Sequence, residues 1–224
     1  MREKILAISN SIVKTESNNY KAKHIINCAG LYADKVAHMM KIALGYEVIP
    51  FRGEYMEVKN LALNSMIYQV PNLKYPFLGV HLTKTVNNKV LAGPTVTLSF
   101  GRESYNKEIN FKESFEMIRS LNFWRMALKR EFLKLALENG KISLSKKAFL
   151  SEIQKLCSQK ISKDDIKPYK SGIRAQMVDN KGRMVKDMLV VFRKDSTHIL
   201  NAVSPGLTSC LAFAEYVVDN IEPC

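Results

Sequence analysis

Two hydrophobic periods alternate along the chain. The run His24 to Cys28, HIINC, is β-branched and apolar and reads as a buried strand. Ala29-Gly30 breaks it. Leu31, Val36, Met39, Met40 and Ala43 then fall at helical spacing, and Gly45 is expected to stop that helix. From Tyr46 to Phe100 the texture is β. YEVIPFRGEYMEV predicts two short strand pieces around Pro50 and Gly53. YPFLGVHLTKTVNNKVLAGPTVTLSF predicts a hairpin, with strands near Phe77–Thr83 and Val90–Leu98 and the turn near Asn87-Asn88. The helical period returns at Phe111. Phe111, Phe115, Ile118, Leu121, Leu128, Phe132 and Leu135 predict one long or broken helix ended by Gly140. Ser145 is placed to cap a further helix carrying Phe149, Ile153 and Leu156. Strand texture resumes at Gly172 and runs through DMLVVFRKD to HILNAV. The tail is a Ser-Pro-Gly turn and a helix capped by Thr208 or Ser209, with Leu207, Leu211, Ala214 and Val218 as its apolar stripe.

The predicted order is therefore βα, an antiparallel insert with helices, then strands and a closing helix. The fold class is α+β: an antiparallel insert carried between two parts of an α/β layer. The boundaries expected are 1–45, 46–170 and 171–224.

Composition narrows the partners. The chain has 224 residues, 46% of them hydrophobic, enough for a real core. No run of about 18 apolar residues occurs, so no membrane-spanning helix is expected. The first thirty residues lack a continuous apolar stretch and a small-residue cleavage site, so no secretory leader is expected. Cys28, Cys157, Cys210 and Cys224 are irregularly spaced with no C-x-x-C pair. They read as thiols in a reducing cytoplasm rather than a zinc site or a disulfide frame. The net charge of +13 raises nucleic acid as a partner. The positive charge is spread out, however, densest from Lys129 to Lys170, and there acids interrupt it. No arginine-rich run and no aromatic-and-basic RNA-binding motif accompanies it, so no nucleic-acid partner is expected. The expected location is the cytoplasm; peripheral contact of the basic face with the inner face of the membrane stays open, although no strongly amphipathic basic helix supports it.

The sharpest chemical signal is SGIRAQMVDNKG, residues 171 to 182. Ile173, Ala175 and Met177 share one strand face and Gly172, Arg174 and Gln176 the other, before a tight turn at Asp179–Gly182. A guanidinium among such residues needs an anionic partner, from the protein or from a ligand, and its planar fork suits a carboxylate. His81, in FLGVHLT, shares a face with Gly79 and Thr83. It is either a ligand-facing imidazole or a satisfied core histidine. Arg52, between Phe51 and Gly53, is a pocket candidate or the partner of Glu54 or Glu57. Tyr55 can add a hydroxyl. No histidine pairs with a carboxylate or another histidine at metal-ligand spacing, so no metal is expected. There is no G-x-S-x-G elbow, Walker loop or H-E-x-x-H, and nothing supports a covalent nucleophile.

Six segments in order, INCAGLYADKVA, PFRGEYMEV, PFLGVHLT, the GP-containing strand with SFGRESY, SGIRAQ and NAVSPGLTS, resemble the L-2-hydroxyglutarate oxidases and dehydrogenases. Those enzymes belong to the FAD-dependent superfamily of D-amino-acid-oxidase type. The resemblance runs from about Lys21 to Ile221. It implies part of an FAD-binding α/β layer carrying an inserted antiparallel substrate domain. It implies that Ala29 and Gly30 lie beside FAD, and that Pro205, Gly206, Leu207 and Thr208 face the flavin ring. It implies that Arg174 holds a carboxylate of 2-hydroxyglutarate and that His81 takes the hydroxyl proton, with Arg52 and Tyr55 as further pocket residues. The family's G-x-G-x-x-G turn, which grips the FAD pyrophosphate, does not occur in this sequence. The resemblance is therefore to the C-terminal portion. The expected partners are a dicarboxylate substrate and a separately encoded N-terminal half, and the chain alone is expected to bind FAD poorly and to be inactive. GPTVTLSFGRESY, where relatives read GPNAVLAFKREGY, leaves the choice of 2-hydroxy acid open.

Overall fold

The computed structural model describes residues 3–70, 77–203 and 206–221. The chain divides into two compact units. Unit 1 comprises Met1–Ile49 and Ala175–Cys224, and unit 2 comprises Pro50–Arg174.

Unit 1 opens with an antiparallel sheet that the apolar pattern did not suggest. Strands β1 (Ile5–Ser9), β2 (Ile12–Thr15) and β3 (Asn19–Lys21) pair in that order. The β1–β2 turn is Asn10-Ser11, both with positive φ of 48° and 61°, the left-handed pair that a two-residue hairpin turn requires. The predicted buried strand is β4 (Ile25–Asn27). A 3-10 turn over Gly30–Tyr32 leads from it into helix α1 (Ala33–Met39). The helix stops well short of Gly45. Lys41 and Ala43 take positive φ of 58° and 53°, and the His38 imidazole lies 3.0 Å from the Tyr46 carbonyl, tying the exit down.

The closing strands are β10 (Leu189–Phe192) and β11 (Ser196–Asn201). β11 lies between an antiparallel β10 and a parallel β4. Ala33, Ala37, Val48, Met177 and Leu200 form the core of this layer. Helix α6 (Cys210–Asp219) completes it. The predicted stripe is not what α6 buries. Leu207 and Leu211 are 89% and 84% exposed, while Val217 is 3% exposed.

Unit 2 is built on one five-stranded sheet. Its strands are β5 (Glu47–Val58), β6 (His81–Lys84), β7 (Val90–Gly93), β8 (Thr97–Leu98) and β9 (Ile166–Val178), of which Glu47–Ile49 and Ala175–Val178 belong to unit 1. The order is β6-β7-β5-β8, with β9 also paired to β5. β5 is one strand where two pieces were expected. Pro50 still offers its carbonyl, which accepts from Ser99 N–H at 3.0 Å. Gly53 is a close-approach glycine rather than a break, because a Cβ there would sit 2.6 Å from Pro94 Cβ. The β6–β7 hairpin turns at Asn88, φ 59°. β9 starts at Ile166, ahead of the expected Gly172.

The long helix is three: α2 (Phe111–Arg119), α3 (Leu121–Ala127) and α4 (Arg130–Leu144). Ser120 has extended backbone and caps α3 through its hydroxyl, which accepts from Phe123 N–H at 3.1 Å. Each helix then buries its own face, so Met117, Phe123 and Met126 are buried while Phe111, Phe115, Ile118, Leu121 and Leu128 stay exposed. Gly140 does not end α4. A mid-helix glycine costs only about 1 kcal/mol, and Ile142 beyond it packs against the core. Ser145 caps α5 (Lys146–Gln154) as expected, accepting from Ala148 N–H at 3.2 Å. Phe149 and Ile153 of α5 pack with Val58, Leu82, Val90 and Ala92, which fixes the helix-covered face of the sheet.

Candidate functional site

In unit 1 the Ala29-Gly30 turn is set by the residue just before it. The buried Asn27 side chain donates to the Ala33 carbonyl at 2.8 Å, and its amide oxygen accepts from Ala29 N–H at 3.1 Å. Its nitrogen also lies 3.1 Å from His198 Nδ1. An amide nitrogen can only donate, so Nδ1 of His198 is the acceptor and the ring is the neutral Nε2–H tautomer. Burial holds the His198 pKa below its ordinary value of 6.5, with Asp195 opposing it and Arg193 and His24 adding to it. Gly30, φ +54°, has open space where a Cβ would stand, so a ligand can approach the main chain there.

A cavity of about 440 Å³ opens beside this turn, lined by Cys28, Gly30, Ile199, Gly206, Cys210 and Phe213 among others. It brings Gly30 and Gly206 to one place. Ala29, Leu207 and Thr208 are not in its lining, and Pro205 lies outside the described residues. The volume is that of a small-molecule site. The lining is apolar and uncharged, which fits the flat ring system of FAD. It offers no charged anchor for the pyrophosphate.

In unit 2 the helices cover the face that carries Leu82, Val90, Ala92, Met56 and Val58. Side chains alternate along a strand, so His81 and Tyr55 belong to the other face. Gly93, opposite His81 in the ladder, keeps the space between them open: a Cβ on Gly93 would meet the Tyr55 ring at 2.9 Å. His81 is half-buried. Its Nδ1 lies 3.1 Å from the Gly79 carbonyl, and its ring stacks on Tyr68 with centroids 4.5 Å apart. Burial lowers the His81 pKa, partly offset by the Gly79 carbonyl. Tyr55 has its pKa raised, first by burial and then by Tyr68.

Arg174 lies over the Phe77 ring, 5.1 Å from its centroid, and Phe77 packs on Phe51 at 5.1 Å. Burial lowers the guanidinium's pKa. No carboxylate pairs with it among the described residues. Arg52 differs. It sits 3.4 Å from Glu54, whose carboxylate also meets Lys107 at 2.9 Å and accepts from the Ser143 hydroxyl at 2.6 Å. Burial pushes the Glu54 pKa up, but Ser143, Lys107 and Arg52 outweigh it and leave it lowered. Part of the Arg52 guanidinium is thus engaged within unit 2, while its buried Nε has no hydrogen-bond partner among the described residues.

Sequence reasoning missed Asn27, His198 and Tyr68. Asn27 had a signal: a polar residue ending an apolar strand immediately before a glycine turn. Tyr68 had none, because only the fold sets it against His81.

The chain matches the model of the FAD dependent oxidoreductase family over residues 2–220. It belongs to that family. It is 37% identical over 214 residues to L-2-hydroxyglutarate dehydrogenase of Indibacter alkaliphilus, covering 93% of this chain and 53% of that protein. It is 34% identical over 216 residues to the Escherichia coli K12 enzyme of the same name, covering 94% and 50%. The chain spans about half the length of the curated relatives it matches. In fold it is similar to the FAD-bound L-α-glycerophosphate oxidase of Mycoplasma pneumoniae, with a TM-score of 0.58, 20% identity, and coverage of 96% of this chain and 49% of that one. Glycine oxidase of Geobacillus kaustophilus gives a TM-score of 0.53 at 14% identity, covering 99% and 49%.

Proposed function

We propose that this chain supplies the substrate-side chemistry of an FAD-dependent dehydrogenase acting on L-2-hydroxyglutarate or a close 2-hydroxy dicarboxylate. The observation that carries the reading is Arg174, a half-buried guanidinium over Phe77 with no acid beside it among the described residues. Such a cation favours a carboxylate from a ligand. His81 supplies the base. Its Nδ1–H donates to Gly79, which leaves the Nε2 lone pair for the substrate hydroxyl proton, and burial keeps the ring neutral near pH 7. Tyr55 borders the same face. The main chain at Ala29-Gly30 and Gly206 would hold the flavin ring. Bound there, FAD would supply the hydride acceptor.

The test is a chimera in which residues 2–220 replace the matched half of the Escherichia coli enzyme. It is expected to oxidise L-2-hydroxyglutarate with a dye acceptor and to discriminate against the D isomer and glycerol 3-phosphate. A folded, flavin-loaded chimera that prefers glycerol 3-phosphate would overturn the substrate assignment.

A second reading concerns the chain by itself: that it binds FAD weakly and does no chemistry. The uncharged cavity lining and the exposed Leu207, Leu211 and Val218 favour it. A colourless purified chain that takes up no flavin absorbance on titration with FAD is the expected result. A yellow chain would reject it.

A further inference from the structure

Tyr68 lies in a segment with no regular secondary structure, yet its place is fixed by backbone pairing. Ile67 and Leu82 form an isolated antiparallel bridge, each N–H donating to the other's carbonyl at 2.9 Å. One residue along that register, Tyr68 stands opposite His81. Side-chain pairs facing across such a bridge are close neighbours. The rings stack at 4.5 Å with planes 26° apart. The stack fixes the plane of the imidazole and covers one of its faces. The Gly79 carbonyl, 3.1 Å from Nδ1, then decides which edge carries the proton, since a carbonyl can only accept.

We infer that Tyr68 is the positioning residue that holds His81 in its Nδ1–H tautomer with Nε2 presented as the one basic nitrogen. The inference rests on the assignment of His81 as the base, but its structural half stands apart from it. The phenol need not share a proton. Its hydroxyl has the Met66 sulfur 3.6 Å away, and its aromatic face does the positioning. Among the described residues, the imidazole is acted on by its burial and the Gly79 carbonyl, with no charged side chain contributing. Tyr55, on β5, has its pKa raised first by burial and then by Tyr68.

The experiment is ring-nitrogen NMR of His81 in the full chain labelled with ¹⁵N-histidine, paired with kinetics in the chimera. In the unsubstituted chain His81 should show one protonated Nδ1 and one unprotonated Nε2 at pH 7.5. Tyr68→Phe should preserve that pattern, because the aromatic face remains. Tyr68→Ala should give averaged, mixed-tautomer signals. In the chimera it should lower kcat roughly tenfold or more with little change in KM, as expected for a base held less firmly. An unchanged His81 tautomer in Tyr68→Ala overturns the inference, and so does a Tyr68→Phe variant that behaves like the alanine one. If instead His81→Ala leaves kcat intact while the NMR pattern behaves as stated, it is the base assignment that fails and the positioning that survives.

Discussion

The Ala29-Gly30 turn of unit 1 and the His81 face of unit 2 are built from opposite materials. The turn presents main chain and small residues, and its shape is held from behind by Asn27 and His198, both buried. The side chains singled out in unit 2 have surroundings that set their chemistry: Tyr68 and Gly79 act on His81, and, as a separate contact, Phe77 lies under Arg174. In the proposed function the first surface has only to let a large ring approach, which backbone can do; the second has to move a proton and hold a carboxylate, which takes side chains in prescribed states. Substitutions in the first region should therefore act through stability, and substitutions in the second through turnover.

The widest gap between the two should come from His81→Ala. In the chimera it should lower kcat roughly 10²–10⁴-fold, the usual loss for a general base, with little change in melting temperature. A normal rate and an unshifted pH profile would assign the proton elsewhere. Asn27→Ala should do the reverse. It removes the acceptor of the Ala29 N–H and leaves His198 Nδ1 without its donor, while the Ala33 carbonyl keeps its bond within α1. Denaturant unfolding of the chain should show a loss of about 3 kcal/mol. An unfolding midpoint within error of the parent would break the contrast.

The smallest effect is a pH dependence that sharpens it. Burial holds His81 and His198 below their ordinary 6.5 when folded, so the unfolded chain binds protons that the folded chain does not. Stability is then full above about pH 6.5 and declines as pH falls from there toward the folded values. Thermal melts from pH 7.5 to 5 should show this decline. His198→Gln should flatten part of it, whereas a slope unchanged by that substitution would remove His198 from the account.

How much was legible in the sequence follows the same division. The strand–glycine–helix of unit 1, the Asn87-Asn88 hairpin and the Ser145 cap were readable because each depends on a few adjacent residues. The Asp179–Gly182 turn was too, where the Asp179 carboxylate gathers the N–H groups of Lys181 and Arg183. The β1–β3 sheet was not legible, because ILAIS and IVKT flank an Asn10-Ser11 turn with no glycine or proline to mark it. Its strands are short and leave most of their side chains exposed, so they bury no apolar face that would mark them. β5 and α4 were cut at Pro50, Gly53 and Gly140 because local propensity was read as a break. Ladder pairing at Pro50, close packing at Gly53 and core contacts beyond Gly140 override it. Arg174 and His81 stood out as chemically odd residues in strands. Their neighbours Phe77 and Tyr68 gain meaning only once the chain has folded.

The most direct test of the whole account is kcat/KM for L-2-hydroxyglutarate in the chimera with and without Arg174→Ala. Loss of a charge-assisted contact to a substrate carboxylate predicts a loss of about 2–4 kcal/mol of transition-state stabilisation, on the order of 30- to 1000-fold, felt strongly in KM. An unchanged kcat/KM in a folded, flavin-loaded variant would contradict it and take the guanidinium out of the site.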